Sequence, residues 1–147
     1  MKKLTQHLQV RADPEAVFEE LIKWQDAQWW PDIPMKFSRL SEKEAEGALY
    51  IQKVAAPFAP RWHTKLSCID RAKKYIKREF LDGMFRGGYE EIFLEDKSSA
   101  IDVVYNFCYS IKNPLKKFLW RSIFKRLHIK NINLILHSLR SYLEVQK

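Results

Sequence analysis

Residues 10–34 read Val-Arg-Ala-Asp-Pro-Glu-Ala-Val-Phe-Glu-Glu-Leu-Ile-Lys-Trp-Gln-Asp-Ala-Gln-Trp-Trp-Pro-Asp-Ile-Pro, a strand end joined to a capped helix that runs into an aromatic, proline-stopped elbow. Asp13 can accept from the free N–H groups of a first helical turn, and Pro14 falls where its missing donor costs nothing. Glu15, Glu19 and Glu20 lie toward the positive end of the helix dipole, while Val17, Phe18, Leu21 and Ile22 recur as one apolar face. This spacing predicts a short helix resting on another layer. A second short helical stretch is expected over 25–30, before Pro31 and Pro34 exclude further helix. Trp29 and Trp30 therefore stand at a corner.

On either side of this stretch the chain reads as strands. Leu4–Arg11 precedes it, and Met35–Ser41, Ala48–Val54, Arg61–Asp70, Lys74–Leu81, Phe85–Glu95 and Ala100–Ser110 follow, each rich in β-branched and aromatic residues and bounded by turn chemistry. Short separators, among them 55–60 and a two-residue hairpin expected at Asp82-Gly83, make an antiparallel meander. Alternation turns Ile101, Val103, Tyr105, Phe107 and Tyr109 inward, and likewise Trp62, Thr64, Leu66 and Cys68. Around Gly87-Gly88 a bulge is expected, with Tyr89 and Glu91 facing inward.

From Asn113 the pattern changes. Asn113 caps and Pro114 opens a helix that meets no further proline or glycine as far as Glu144. Trp120, Phe124, Leu127, Asn131, Leu134, Ser138 and Tyr142 recur every three or four residues, a stripe that must cover the open face of the sheet. One straight helix would span about 46 Å at 1.5 Å per residue, so a break near 128–130 is expected.

A chain of 147 residues fits one domain and buries roughly 70% of its unfolded surface, a core that needs neither disulfides nor metal. Cys68 and Cys108 stand far apart, and His7, His63, His128 and His137 form no zinc-like pair, so neither metal nor cofactor is expected. Met1-Lys2-Lys3 begins like a signal peptide, but Thr5, Gln6, His7 and Gln9 deny it an apolar core. The expected location is cytoplasmic, with contact to the inner face of a membrane allowed.

The element order resembles the helix-grip fold of the START-like superfamily, which includes birch-pollen allergens, lipid-transfer START domains and polyketide cyclase proteins. The resemblance is carried by Ala12-Asp13-Pro14-Glu15-Ala16-Val17-Phe18, by Trp29-Trp30-Pro31, by Gly83-Met84-Phe85-Arg86-Gly87-Gly88-Tyr89 and by Leu139-Arg140-Ser141-Tyr142-Leu143-Glu144. It implies an α+β fold over 1–147: a seven-stranded curved antiparallel sheet wrapped around a long C-terminal helix, with two short helices after the first strand. It also implies a hydrophobic tunnel that takes up lipids, quinones, sterols or polyketide-like aromatics.

Trp29, Trp62, Tyr89, Tyr105 and Phe107 are the expected lining of that tunnel, although each aromatic alone also reads as core. Asn131 is an amide in an apolar stripe; it either meets a ligand or bonds a backbone carbonyl. His63 and His128 read as surface groups or ordinary hydrogen-bonding partners. The net charge is +8, and almost all of the excess falls in 113–147, where eight cations face Glu144 alone. Lys117, Arg121 and Lys125, interleaved with Phe118, Trp120 and Phe124, suit an anionic membrane surface, or form an outer helix face kept soluble by charge. No nucleic-acid reading motif is present. Nor is there a phosphate loop or a nucleophile elbow, which leaves a binder as the first reading. The alternative is a cyclase-like enzyme using Glu91, Tyr105 and Asn131 as acid, donor and orienting amide.

Overall fold

The computed structural model describes residues 1–55 and 60–145. Its elements are β1 (Lys2–Val10), α1 (Pro14–Lys23), β2 (Met35–Arg39), β3 (Leu49–Val54), β4 (Arg61–Asp70), β5 (Tyr75–Phe80), β6 (Tyr89–Asp96), β7 (Ile101–Tyr109), α2 (Pro114–Leu119) and α3 (Lys125–Val145). The strands form one curled antiparallel sheet in the order β1-β7-β6-β5-β4-β3-β2. The core lies between its inner face and the long C-terminal helix.

The α1 cap is as expected. Asp13 Oδ2 accepts from the Ala16 N–H at 3.2 Å, and Val17, Phe18, Leu21 and Ile22 are buried. Only one α-helix follows β1, however. The second is reduced to a single 3₁₀ turn, Trp24–Asp26, because Trp24 leaves the helical region with φ +46° and drives its indole into the core. A bulky residue rarely holds a positive φ, and here packing on all sides enforces it. The Trp24 ring stacks on Tyr105 at 6.4 Å, meets Trp29 and Trp30 edge-on and lies 5.2 Å from the Arg78 guanidinium.

Two registers differ from expectation. Asp82 stays extended and its carboxylate takes the His63 N–H and ring nitrogen, both at 2.7 Å, so β5 and β6 are joined by a longer loop containing the 3₁₀ turn Gly83–Phe85. Gly87 and Gly88 belong to this loop and form no bulge. A side chain on Gly88 would meet the Cys108 carbonyl oxygen at 2.6 Å, so the loop can close on β7 only with glycine there. Strand β6 then starts at Tyr89, with Glu90 opposite Phe107 and Ile92 opposite Tyr105. Cross-strand partners share a face, so Glu90 and Ile92 point inward and Tyr89 and Glu91 outward. In β4 the pairing shifts between Leu66 and Cys68, a bulge that takes Cys68 off the inner face and brings Ile69 against the core.

The C-terminal helix is continuous from Pro114 to Val145, and its irregularity is a π segment at Trp120–Phe124 rather than a break near 128–130. A π turn accommodates one extra residue, so the phase downstream moves by one position. His128, Ile135, Leu139 and Leu143 are buried where an uninterrupted period points to Leu127, Leu134, Ser138 and Tyr142. Asn131 stays inward beside Ile132. Part of the loop expected at 55–60, residues 56–59, and Lys147 lie outside the described residues.

Candidate functional site

Between α3 and the inner face of the sheet lies a narrow cleft of about 20 Å³, walled by Trp62, Phe85, Trp120 and Phe124 and carrying two polar side chains, His128 and Asn131. The expected tunnel is thus nearly closed, with room for about one water molecule. Each wall has a local cause. Trp62 alternates inward on β4 and is oriented by its Nε1–H to Gln52 Oε1 at 3.1 Å. Phe85 is carried in by the 3₁₀ turn and meets Trp62, Phe107 and Trp120 edge-on at 5.0–5.2 Å. The π segment brings Trp120 and His128, eight residues apart, onto the same side of the helix.

His128 is the hinge between the cleft and a buried polar cluster. Its ring lies 4.4 Å from that of Phe107, and Nε2 is 3.4 Å from the Tyr105 hydroxyl. That hydroxyl donates to Glu90 Oε2 at 2.6 Å. With the tyrosine proton engaged by Glu90, the phenol oxygen is left to accept, which favours the tautomer with hydrogen on Nε2. Burial holds the His128 pKa down at about 4, so the ring is neutral at pH 7. Burial also raises Glu90, against the opposing pull of Arg78 and the Tyr105 hydrogen bond, and pushes the Tyr105 phenol up. Arg78 is 2% exposed and donates to the Leu21 carbonyl at 3.2 Å, while its Nε and Nη1 find no partner among the described residues. Desolvation lowers its pKa, and the charge of Glu90 works against that shift. Asn131, 1% exposed, has an unpartnered Nδ2. A buried donor left in that state costs about 1–3 kcal/mol.

The expected lining residues separate into four groups. Trp62 and Asn131 line the cleft. Tyr105 and Phe107 stand one layer behind it, in contact with His128. Trp29 is buried elsewhere, at the elbow, with Nε1–H to Glu20 Oε2 at 3.2 Å and its carbonyl accepting from Ser138. Tyr89 is on the outer face with Lys77 Nζ 4.5 Å from its ring centre, so it is not a lining residue. Glu91 is also outside, accepting from Tyr75 and Asn106, which takes it out of the proposed acid role and leaves Glu90 as the interior carboxyl. His63 is at the surface, while His128 is buried and follows the other expected course, a hydrogen bond with the Tyr105 hydroxyl. Arg78 is a functional candidate that sequence reasoning missed although a signal exists: Ile76-Lys77-Arg78-Glu79-Phe80 alternates it with two core residues. Among the described residues no three His, Cys, Asp or Glu side chains are grouped to hold a metal.

A second feature lies at one end of the molecule. Lys117, Arg121 and Lys125, spaced i, i+4, i+8, line a surface pocket of about 270 Å³ with Lys2, over Tyr109 and Trp120. Arg86, Lys112 and Lys116 line an adjoining groove. Among the described residues no acidic one lines either, and Leu115, Phe118 and Ile123 are exposed on the same helical stretch. Among the described residues no helix is long and apolar enough to cross a membrane.

No protein-family model matches this sequence, and no curated protein does. Solved structures do. A protein from Thermus thermophilus is similar over 99% of both chains, at 13% identity and a TM-score of 0.76. A point mutant of norcoclaurine synthase from Thalictrum, solved with a transition-state analogue, is similar over 99% of this chain and 95% of its own, at 11% identity and a TM-score of 0.77. A START superfamily protein from Mycobacterium smegmatis is similar over 99% of both chains, at 10% identity and a TM-score of 0.70. With its curled seven-stranded sheet closed by one long helix, the chain has the helix-grip fold of the START-like superfamily.

Proposed function

We propose that this protein binds a hydrophobic small molecule between the sheet and α3, and exchanges it at anionic membrane surfaces through the cationic start of the C-terminal helix. The observation that carries the reading is the cleft lining, which among the described residues has four aromatic walls, two neutral polar side chains and no charged group. Apolar walls with a few placed polar groups suit a lipid, a quinone, a sterol or a polyketide-like aromatic. The closed state requires the walls to part on binding, and Met35 and Met84 in the lining are unbranched side chains that repack at low cost. The cationic end supports docking, since cations interleaved with exposed apolar groups match the surface of an anionic bilayer. The test is native mass spectrometry of freshly purified protein followed by titration with a lipid and aromatic panel. A copurifying small molecule or saturable binding of a panel member is expected; neither one appearing rejects the reading.

A cyclase-like enzyme is the second reading, favoured by the contact of His128 at the cleft wall with Tyr105 and, through it, Glu90. Such a chain can shift a proton without exposing a charge to solvent. It predicts that turnover of an aromatic polyketide-like substrate is lost in His128→Gln with binding retained, and full turnover in that variant excludes the role. The fold alone does not separate the two readings.

A further inference from the structure

Among the described residues Asn131 is one of two cleft residues with a buried donor that the core does not use; the other is Trp120, through its indole Nε1–H, and of the two the Asn131 amide is the freer to turn toward a ligand. Nothing among the described residues accepts from its Nδ2, although the side chain lies at the wall of the cleft and is almost fully enclosed. Beside it His128 is neutral, and the remaining lining is aromatic or aliphatic. The site therefore offers a hydrogen-bond donor in uncharged, largely aromatic surroundings. A carboxylate or a phosphate would lose its hydration there without meeting a cation, because Lys117, Arg121 and Lys125 lie outside, in the pocket on the other side of the Trp120 ring. An ammonium group would meet no anion. A plain hydrocarbon would leave the amide as it is.

We infer that the ligand is a flat, neutral aromatic bearing a carbonyl oxygen, an aromatic ketone or quinone, with that oxygen accepting from Asn131 Nδ2 and its ring plane held among Trp62, Phe85, Trp120 and Phe124. This deepens the binding reading above and rests on it. Opening the cleft to admit such a molecule gives Asn131 the acceptor it lacks when the walls are closed. A site that donates to a ligand oxygen discriminates against an analogue without it, because the donor is then left unpaired.

Fluorenone and fluorene test this directly, since they share shape and size and differ in a carbonyl against a methylene. Binding is followed by tryptophan fluorescence and by calorimetry. The intact protein is expected to prefer fluorenone at least tenfold, and Asn131→Leu to bring the two affinities together without weakening fluorene. Asn131→Leu removes an unpaired buried donor, so its thermal midpoint is expected to hold or rise. Should it fail to fold, Trp120→Phe decides between the two donors: the preference is expected to persist there, and its loss assigns the ligand oxygen to the indole N–H instead. A preference that survives in Asn131→Leu overturns Asn131 as the donor in favour of Trp120 Nε1–H, and equal affinities in the intact protein overturn the carbonyl assignment alone. Failure of both compounds to bind overturns it together with the reading on which it rests.

Discussion

At the scale of single residues, the interior holds more ionisable chemistry than a filled core needs. His128 is the clearest case. Its pKa of about 4 in the folded protein lies below the ordinary 6.5, so between those values the unfolded chain binds a proton that the folded one refuses. Stability from this residue is complete above pH 6.5 and falls as pH drops toward 4, by about 3 kcal/mol. Glu44, raised to about 7 by burial and by its neighbour Asp26, and Glu90, raised by burial, act in the opposite sense: their stabilisation is complete below the ordinary carboxyl range and is lost as pH rises through their folded values. Whole-protein pH curves therefore mix the two signs, and the difference between His128→Leu and the parent isolates one of them. Unfolding in denaturant at pH 7 and pH 4 is expected to show the variant gaining about 3 kcal/mol relative to the parent on acidification. A flat difference would mean that the ring is not buried and neutral.

Among the elements, the π segment at Trp120–Phe124 governs which side chains reach the cleft. Because it absorbs one residue, removing one there restores an ordinary α-helical turn and keeps Trp120 on the side of His128. Deleting the exposed Ser122 is expected to cost about 1–3 kcal/mol of repacking and to preserve cooperative unfolding. Deleting the equally exposed Lys130 rotates everything after it by one helical position and is expected to abolish the fold; matching melting curves for the two deletions would refute the account. The same element shows where sequence reading succeeds and where it stops. Asp13-Pro14 and Asn113-Pro114 were legible because a cap is a local arrangement, settled by a side chain and the next three residues. The seven strands were legible from β-branched and aromatic runs. The helical phase beyond Trp120 was not, since a π turn leaves no mark in the apolar spacing, and Leu127 and His128 differ as inward candidates only once it is known. The face of β6 was hidden for a similar reason: Asp82 is drawn away by His63, a partner 19 residues distant, and the longer loop moves the strand start to Tyr89. Of the candidate site, Trp62 and Asn131 were therefore readable, whereas Tyr89 was misplaced and His128, Glu90 and Arg78 were missed.

At the scale of the molecule, charge is distributed unevenly around the mouth of the grip. Lys2, Arg86, Lys112, Lys116, Lys117, Arg121 and Lys125 gather at one end, none in an ion pair among the described residues. Like charges four apart on a helix oppose its stability, so an external anion gains by neutralising them. Reversing Lys117, Arg121 and Lys125 together to glutamate is expected to weaken binding to vesicles rich in phosphatidylserine about a hundredfold, at roughly 1 kcal/mol for each cation lost. Cosedimentation that is unchanged in the variant, or insensitive to salt in the parent, rules out electrostatic docking. The strand order carries a different consequence, for the making of the protein. Among the described residues strand β1 pairs with β7 alone, Lys2 opposite Tyr109 and Val10 opposite Ile101, so the first strand of this domain waits for its last. Closing so long a loop is slow, and the nascent chain shows an unpaired β1 until β7 has been made and an uncovered apolar sheet until α3 has followed. Production of this protein is thus expected to depend on chaperones that hold unfinished chains, and a pause in translation before β7 to be more damaging than one after it.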